Sequence, residues 1–419
     1  MTTSVIAKKT PAPTPAPLDE LIDSVTRNGY CSGCGLCEAI APPGHIQMRM
    51  SVMGYLRPVV LQKLPADART QIAKVCPGVT VAHPPGSKRQ HPIWGPLLAV
   101  QTGHAIDPEI RHMGSSGGVL SALLLHLLTT GKVDFVAQIA ASLADPLANE
   151  LQISHTRQDI LRAAGSRYSP SAPLRQLREL LATGKKFAFV GKPCDVAALR
   201  QYGEINPDVK RQVPYMVSFM CAGIPSLAGT HEVLKKMGAD QAKLTSFRYR
   251  GDGWPGMTCA VHANGERFEM DYNSSWGKTL NKHLQFRCKI CPDGTGEFAD
   301  VTCADAWYGK DGHLDFTERE GRSLLIARTA VGQVLVAAAV RTNCIEVATL
   351  PVDAVASMQP YQRDRKQVVL GRSFAARLAH GKAPRYLRLG LLRAAFQTKP
   401  ILWLRSALGT WRRAKSEPQ

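Results

Sequence analysis

The sequence has no apolar run long enough to cross a bilayer. The longest, Val119 to Leu128, already contains His126 and is followed by Lys132 and Asp134, so it reads as a buried helix. No apolar stretch precedes a cleavage site near Met1, and a secretory signal is therefore not expected. Residues 1–18 (MTTSVIAKKTPAPTPAPL) alternate proline with small residues and read as an extended, solvated arm. No internal repeat is present. No G-x-G-x-x-G is followed by an acidic residue on a second strand, so a Rossmann dinucleotide site has no support. Acidic residues are scarce, 33 against 52 Lys and Arg, for a net charge of +19. No nucleic-acid reader motif accompanies that charge.

What is present describes an ordinary globular protein of 419 residues, 44% hydrophobic and 20% charged, with room for two or three domains. Eleven cysteines, an odd number, fit a disulfide framework poorly. Without an export signal they point to a reducing, cytoplasmic compartment, where clustered thiols are better explained by metal binding or catalysis. Positive charge concentrates at the C-terminal end. From Gly371 onward eleven Lys and Arg stand against one acid, Glu417, interleaved with Leu387, Leu391, Phe396, Leu404, Leu408 and Trp411. This basic amphipathic tail (361–419) can lie on an anionic membrane or an acidic partner, making the protein membrane-peripheral, or pack its apolar stripe on its own domain.

Along the chain, short buried strands alternate with helices, which argues for an α/β (α+β) fold. Residues 19–80 form a small cysteine-bearing segment, 81–95 a Pro/Gly-rich linker, 95–225 a central α/β domain and 226–360 a mixed domain.

Cys31, Cys34 and Cys37 form C-x2-C-x2-C, and Cys76 follows, immediately before Pro77. Thiolates are the ligands that iron–sulfur clusters use, and two-residue gaps let three sulfurs point inward from one tight loop. Gly33 and Gly35 let the backbone wrap closely. A structural zinc site or unliganded thiols are the alternatives. A second group is Cys194 (GKPCD), Cys221 (FMCAG), Cys288 and Cys291 (CKIC); the first two each follow an apolar strand. Zinc, a redox dithiol or chance remain open for it, and Cys303 (VTCAD) is a spare candidate. Cys259 and Cys344 sit among apolar residues and read as small hydrophobes.

Ser115, Ser116, Gly117 and Gly118 open an apolar helix, where free N–H groups and the helix dipole suit a phosphate and paired glycines permit its close approach. A plain Ser N-cap is the alternative. Arg167 and Tyr168, Lys192, and Arg250 with Trp254 place charge and aromatics in Gly/Pro-rich loops. They could hold a flavin's phosphates and ring, or be exposed turns.

Taken in order, CSGCGLC with Cys76-Pro77, DPEIRHMGSSGGVLSALLLHLLTTGKVD, GSRYSPSAP, GKPCDVAALR, FMCAGIPS, FRYRGDGWPG and CKICPDGTGEFADVTCADAW resemble the coenzyme F420 hydrogenase/dehydrogenase beta-subunit family over roughly residues 28–310. The resemblance implies an iron–sulfur flavoprotein oxidoreductase. It implies a ferredoxin-like segment with one 4Fe–4S cluster on Cys31, Cys34, Cys37 and Cys76, and a second cluster on Cys194, Cys221, Cys288 and Cys291. FAD would lie near the Ser-Ser-Gly-Gly turn and Lys192. Cys303 departs from the family's usual residue and could replace one ligand of the second set. Relatives act on F420, reduce chlorophyll intermediates with electrons from ferredoxin, or sit in polysaccharide pathways. A ferredoxin or other donor is the implied partner and a small molecule the implied substrate. An electron-transfer subunit without its own substrate chemistry is the rival reading, and a zinc-stabilised binding module a third. No catalytic residue is assigned; His104, His112 and Tyr168 are candidates for proton delivery by location only.

Overall fold

The computed structural model describes residues 18–87, 91–310 and 313–416. Of the expected N-terminal arm, only Leu18 falls among them.

One mixed sheet of eight strands organises the molecule. In chain order the strands are β1 (Ala99–Ala105), β2 (Phe135–Ala141), β3 (Asn149–Ser154), β4 (Phe187–Gly191), β5 (Tyr215–Phe219), β6 (Val301–Asp305), β7 (Ser323–Ala327) and β8 (Ile345–Thr349). Their spatial order is β8-β1-β7-β6-β5-β4-β2-β3. The run β6-β5-β4-β2 is parallel, and every pairing outside it is antiparallel. β4 and β7 are buried at every residue, as central strands covered on both faces should be.

The two-residue alternation of β4 sorts its side chains between two cores. Phe187 and Phe189 face a core that holds Val196 and Leu199 of helix α2 (Pro193–Gly203), together with Cys34, Leu36 and Val75. Ala188 and Val190 face the opposite core, with Leu123, Leu124 and Leu127 of α1 (Val119–Thr129). Segments 95–225 and 226–360 thus share one sheet, because β6 and β7 insert between β1 and β5.

Within the stretch read as a linker, Ile93 and Trp94 are buried in a third core. Hydrophobic burial outweighs the turn-forming residues around them. The basic tail begins with α3 (Pro360–His380), whose Gln362, Arg365 and Lys366 are buried. Residues Arg385–Leu387 then pair in parallel with Thr80–Ala82, and α4 (Pro400–Ser416) packs against α3. No described helix is long and apolar enough to cross a membrane.

Candidate functional site

Cys31, Cys34, Cys37 and Cys76 line one cavity. The Gly33 and Gly35 turns bring the first three together: both glycines have positive φ, +79° and +84°. At Gly35 a Cβ would also stand 2.9 Å from the Arg175 backbone nitrogen, so no other residue fits. Cys76 arrives from the end of helix Ala66–Val75. The remaining walls are almost wholly apolar, including Ile22, Leu36, Met48, Ile72 and Val75. Burial pushes the Cys34 thiol up to about 12, with Asp195 and Cys76 adding to it, and the Cys76 thiol up to about 11, with help from Cys31. Cys37 is raised by the same causes. Cys34, Cys37 and Cys76 can become thiolates together only beside a compensating positive body, which is what a metal centre supplies.

Cys194, Cys221, Cys288 and Cys291 line a second cavity, drawn from three places in the fold. Cys194 opens α2, Cys221 follows β5, and the CKIC pair belongs to a short helix and the turn after it. Burial raises the Cys221 thiol to about 12, with Cys288 next in importance, and raises Cys194 further. Hydrogen bonds already reach one sulfur: the Ile224 N–H and the Gln285 amide donate to Cys288 Sγ at 3.4 and 3.5 Å. Cys303 does not line this cavity. It lies on β6, 3% exposed, packed in the core beneath α1.

Three cations border the second cavity. Lys192 is paired with Asp195 at 2.7 Å. Arg365 comes from α3 and donates to the Cys221 carbonyl at 2.7 Å and the Ala222 carbonyl at 3.2 Å. Arg287 donates to the Pro77 carbonyl at 3.2 Å, while its Nε and Nη1 are buried without a hydrogen-bond partner. Burial works against the Arg287 charge, yet Tyr386 and the thiols of Cys291, Cys194 and Cys288 hold its pKa above the usual arginine value. Two unspent N–H groups beside four sulfurs fit a sulfur-rich anionic ligand. Among the described residues no three His, Cys, Asp or Glu side chains are disposed to hold a single ion.

The third cavity, of about 210 Å³, lies at the carboxyl ends of the parallel strands β2, β4, β5 and β6, where open α/β sheets commonly take ligands. Ser115, Ser116, Gly118, Arg167, Tyr168, Lys192 and Arg250 all line it. No side chain caps α1, and Leu120 and Ser121 of its first turn join the lining, so the helix N-terminus can receive an anion. Asp195 Oδ1 also belongs to a lining residue and is buried without a partner.

Several predicted contacts serve the protein itself. The Arg167 guanidinium is spent on Asn149 Oδ1 and the carbonyls of Pro146, Ala148 and Phe247, at 2.8 to 3.1 Å. Arg250 forms a bidentate pair with Asp305 at 2.8 and 3.0 Å and donates to the Ser115 carbonyl at 2.6 Å. Both shape the cavity: Arg250 has its charge paired with Asp305, whereas Arg167 keeps its charge with its N–H groups committed to neutral acceptors. Gly117 is absent from the lining: it packs on β1 and β7, where a Cβ would meet Ser323 N at 2.7 Å and Gly103 O at 2.8 Å. The close approach it permits is to the sheet rather than to a ligand. Trp254 lies behind the wall, stacked on Trp307 and donating to Asp305 Oδ1 at 2.7 Å. Sequence reading did not single out Gln138, Ser171, Trp276 and Asp305, which also line the cavity; Ser171 and Asp305 fall in the GSRYSPSAP and VTCADAW stretches, whereas Gln138 and Trp276 have no local motif.

The cavities adjoin in series. Ser32 lines both cysteine cavities. Lys192, Cys221, Gly223 and Ile224 line both the second cysteine cavity and the central one. Beyond it, Tyr168, Met220, Ala222, Trp276, Ala304 and Asp305 are shared with an outer cavity of about 220 Å³, whose further walls include Tyr272, Trp307, Phe316 and Tyr361. His104 and His112 line neither of these last two. The first faces Glu346 at 3.9 Å and the second is exposed beside Asp252. Tyr168 lines both.

Two family models cover most of this framework. The N-terminal model of coenzyme F420 hydrogenase/dehydrogenase beta subunits matches residues 100–178, and the C-terminal model matches residues 184–353. The chain belongs to this family. It is 28% identical over 331 residues to the coenzyme F420-dependent sulfite reductase of Methanocaldococcus jannaschii, covering 75% of this chain and 46% of that protein, so the chain spans about half the length of that relative. It is 26% identical over 283 residues to the coenzyme F420 hydrogenase subunit beta of Methanosarcina barkeri, covering 64% of this chain and 86% of the relative. In solved structures it is similar to a chain of the F420-reducing NiFe hydrogenase complex of Methanosarcina barkeri, with a TM-score of 0.54 at 20% identity, over 71% of this chain and 99% of that one. That likeness concerns the fold. Family membership places the chain among redox proteins.

Proposed function

We propose that this protein is an iron–sulfur flavoprotein oxidoreductase. Its two cysteine sets would hold 4Fe–4S clusters carrying single electrons, and its central cavity FAD, which exchanges those electrons for a hydride. The observation that carries this reading is the series of adjoining cavities: four cysteines, four cysteines, an anion-receptive helix terminus, then an aromatic-walled chamber.

The chain's own residues do the arranging. Ser32 lies between the two cysteine cavities, and Arg287 reaches from the second toward Cys76 through the Pro77 carbonyl; Lys192 and Cys221 separate the second from the central one. The uncapped start of α1 would receive a phosphate, and the Asp195 oxygen without a partner would accept a hydrogen bond from the bound group. Tyr272, Trp276 and Trp307 present aromatic faces in the outer chamber on which a planar, conjugated substrate, such as a deazaflavin or a tetrapyrrole, would stack. Tyr168, present in both chambers, is the side chain placed to hold a proton between them. The electron donor would be a ferredoxin or a similar protein in the cytoplasm, docked by a surface of opposite charge.

Anaerobic purification, with absorption spectra and iron, sulfide and flavin analysis, tests the reading. About eight irons and one FAD per chain are expected. Zinc without iron or flavin, after attempted reconstitution, overturns it. The rival, an electron-transfer subunit without substrate chemistry, draws on the naming of relatives as subunits. Turnover of a planar acceptor by the isolated chain with a chemical reductant excludes that rival.

A further inference from the structure

Helix α4 carries apolar side chains on the wrong side for a helix that is already packed. Its inner face is settled: a Cβ at Gly371 of α3 would come within 2.6 Å of the Trp403 indole. Arg372 Nε donates to Ser406 Oγ at 2.6 Å, and His380 Nε2 lies 2.9 Å from the Ala414 carbonyl. On the outer face Ile401, Leu404, Leu408 and Trp411 recur at intervals of three, four and three, forming one stripe. They are 65%, 57%, 50% and 37% exposed. Phe396, just before the helix, is 82% exposed. Arg405 and Arg412 flank the stripe, and Lys415 lies over the Trp411 ring at 4.4 Å.

The charge around this stripe has one sign. From Arg365 to Ser416 the sequence holds thirteen Lys and Arg and no Asp or Glu. A convex apolar stripe with basic flanks and a tryptophan at its edge matches the acyl-headgroup boundary of an anionic bilayer. A protein partner of that charge would need a concave apolar surface ringed by acids, whereas lipid adapts to a convex helix. The residues lie outside the two family-matched regions, which end at 353.

We propose that α4 is a peripheral membrane-binding element, lying in the plane of an anionic lipid surface with Phe396, Ile401, Leu404, Leu408 and Trp411 below the headgroups. The proposal does not depend on the redox reading, because the stripe touches none of the cavities.

The test is flotation of the full chain with phosphatidylcholine vesicles and with vesicles of equal phosphatidylcholine and phosphatidylglycerol. Binding is expected to the second alone. Leu404→Glu with Leu408→Glu should weaken it at least tenfold, as should the charge reversal Arg405→Glu. Since these side chains face solvent, both variants should keep the wild-type melting temperature and ultraviolet circular dichroism. Absence of flotation with the anionic vesicles overturns the proposal and leaves the stripe to a protein partner. Flotation untouched by the leucine pair also overturns it, because simple ion attraction would then suffice.

Discussion

The two cysteine cavities each gather four thiols, in opposite surroundings. The first is walled by Ile, Leu, Met and Val, with Ser32 nearly its only polar side chain. The second is bordered by Lys192, Arg287 and Arg365 against one buried carboxylate in its lining, Asp293. Adding an electron adds negative charge. An apolar shell disfavours that charge, whereas nearby cations and N–H donors favour it. The first centre should therefore have the lower reduction potential, and the second, next to the central cavity, the higher. On the proposed reading, identical ligand chemistry would be tuned in two directions by residues that are not ligands.

The most drastic way to break this comparison is to remove a ligand from each side. Cys34→Ser and Cys221→Ser should each lower iron from about eight to about four per chain. Electron paramagnetic resonance of the remaining centre should show the second cavity's signal in the first variant and the first cavity's signal in the other. Full iron in either variant would remove that cysteine from its set.

Next in size is the charge environment. Arg365→Gln takes a buried cation from the second cavity alone, and its centre should fall by about 60 mV or more, the value of a tenfold change in a one-electron equilibrium. Arg365→Lys should recover most of that loss. Arg287 lines the second cavity and acts on Cys76 from behind Pro77, so Arg287→Gln should lower the second potential most and the first to a smaller extent. Redox titration followed by paramagnetic resonance measures this. Equal shifts of both centres in Arg365→Gln would show that the contrast does not come from local charge.

A smaller effect separates the cysteine cavities from the central one. Gly118 has φ +72°, and a Cβ there would stand 2.5 Å from the Ile110 carbonyl. Gly118→Ala should cost about 2 kcal/mol or more through this strain and displace the start of α1. Flavin retention should fall while iron content holds. Loss of iron with the flavin would mean that the cavities form as a unit.

Much of this was legible in the sequence because it is local. Cys31, Cys34 and Cys37 lie within one turn, and each strand–loop–cysteine unit announces itself by an apolar run ending in GKPC or FMCAG. The alternation of short strands and helices likewise led to an α/β core. What was hidden depends on distant segments meeting. Nothing near β6 says that it enters the sheet between β5 and β7, since strand order is set by packing across the whole fold. Arg365 is one of many arginines in a basic region that read as a tail, and only the seating of α3 brings it to Cys221. Arg287 was closer to hand, next to Cys288, but its neighbour Pro77 comes from the other set. Arg167 and Arg250 show the converse: residue type suggested phosphate, and the fold engages their N–H groups with carbonyls and Asp305 while both line the central cavity.

Cys303 offers the finest adjustment of the comparison. From the sequence it could replace a member of the second set, yet it lies on β6 outside that cavity, with burial alone raising its thiol to about 12. A thiol in that position acts as a small apolar side chain. Cys303→Ala should therefore keep full iron and leave both potentials unchanged, with a stability loss of about 1 kcal/mol from the vacated volume. Loss of four irons in this variant, with iron retained in Cys291→Ala, would exchange the two residues. The second centre would then be anchored in the sheet itself, and its higher potential could no longer be credited to Arg287 and Arg365.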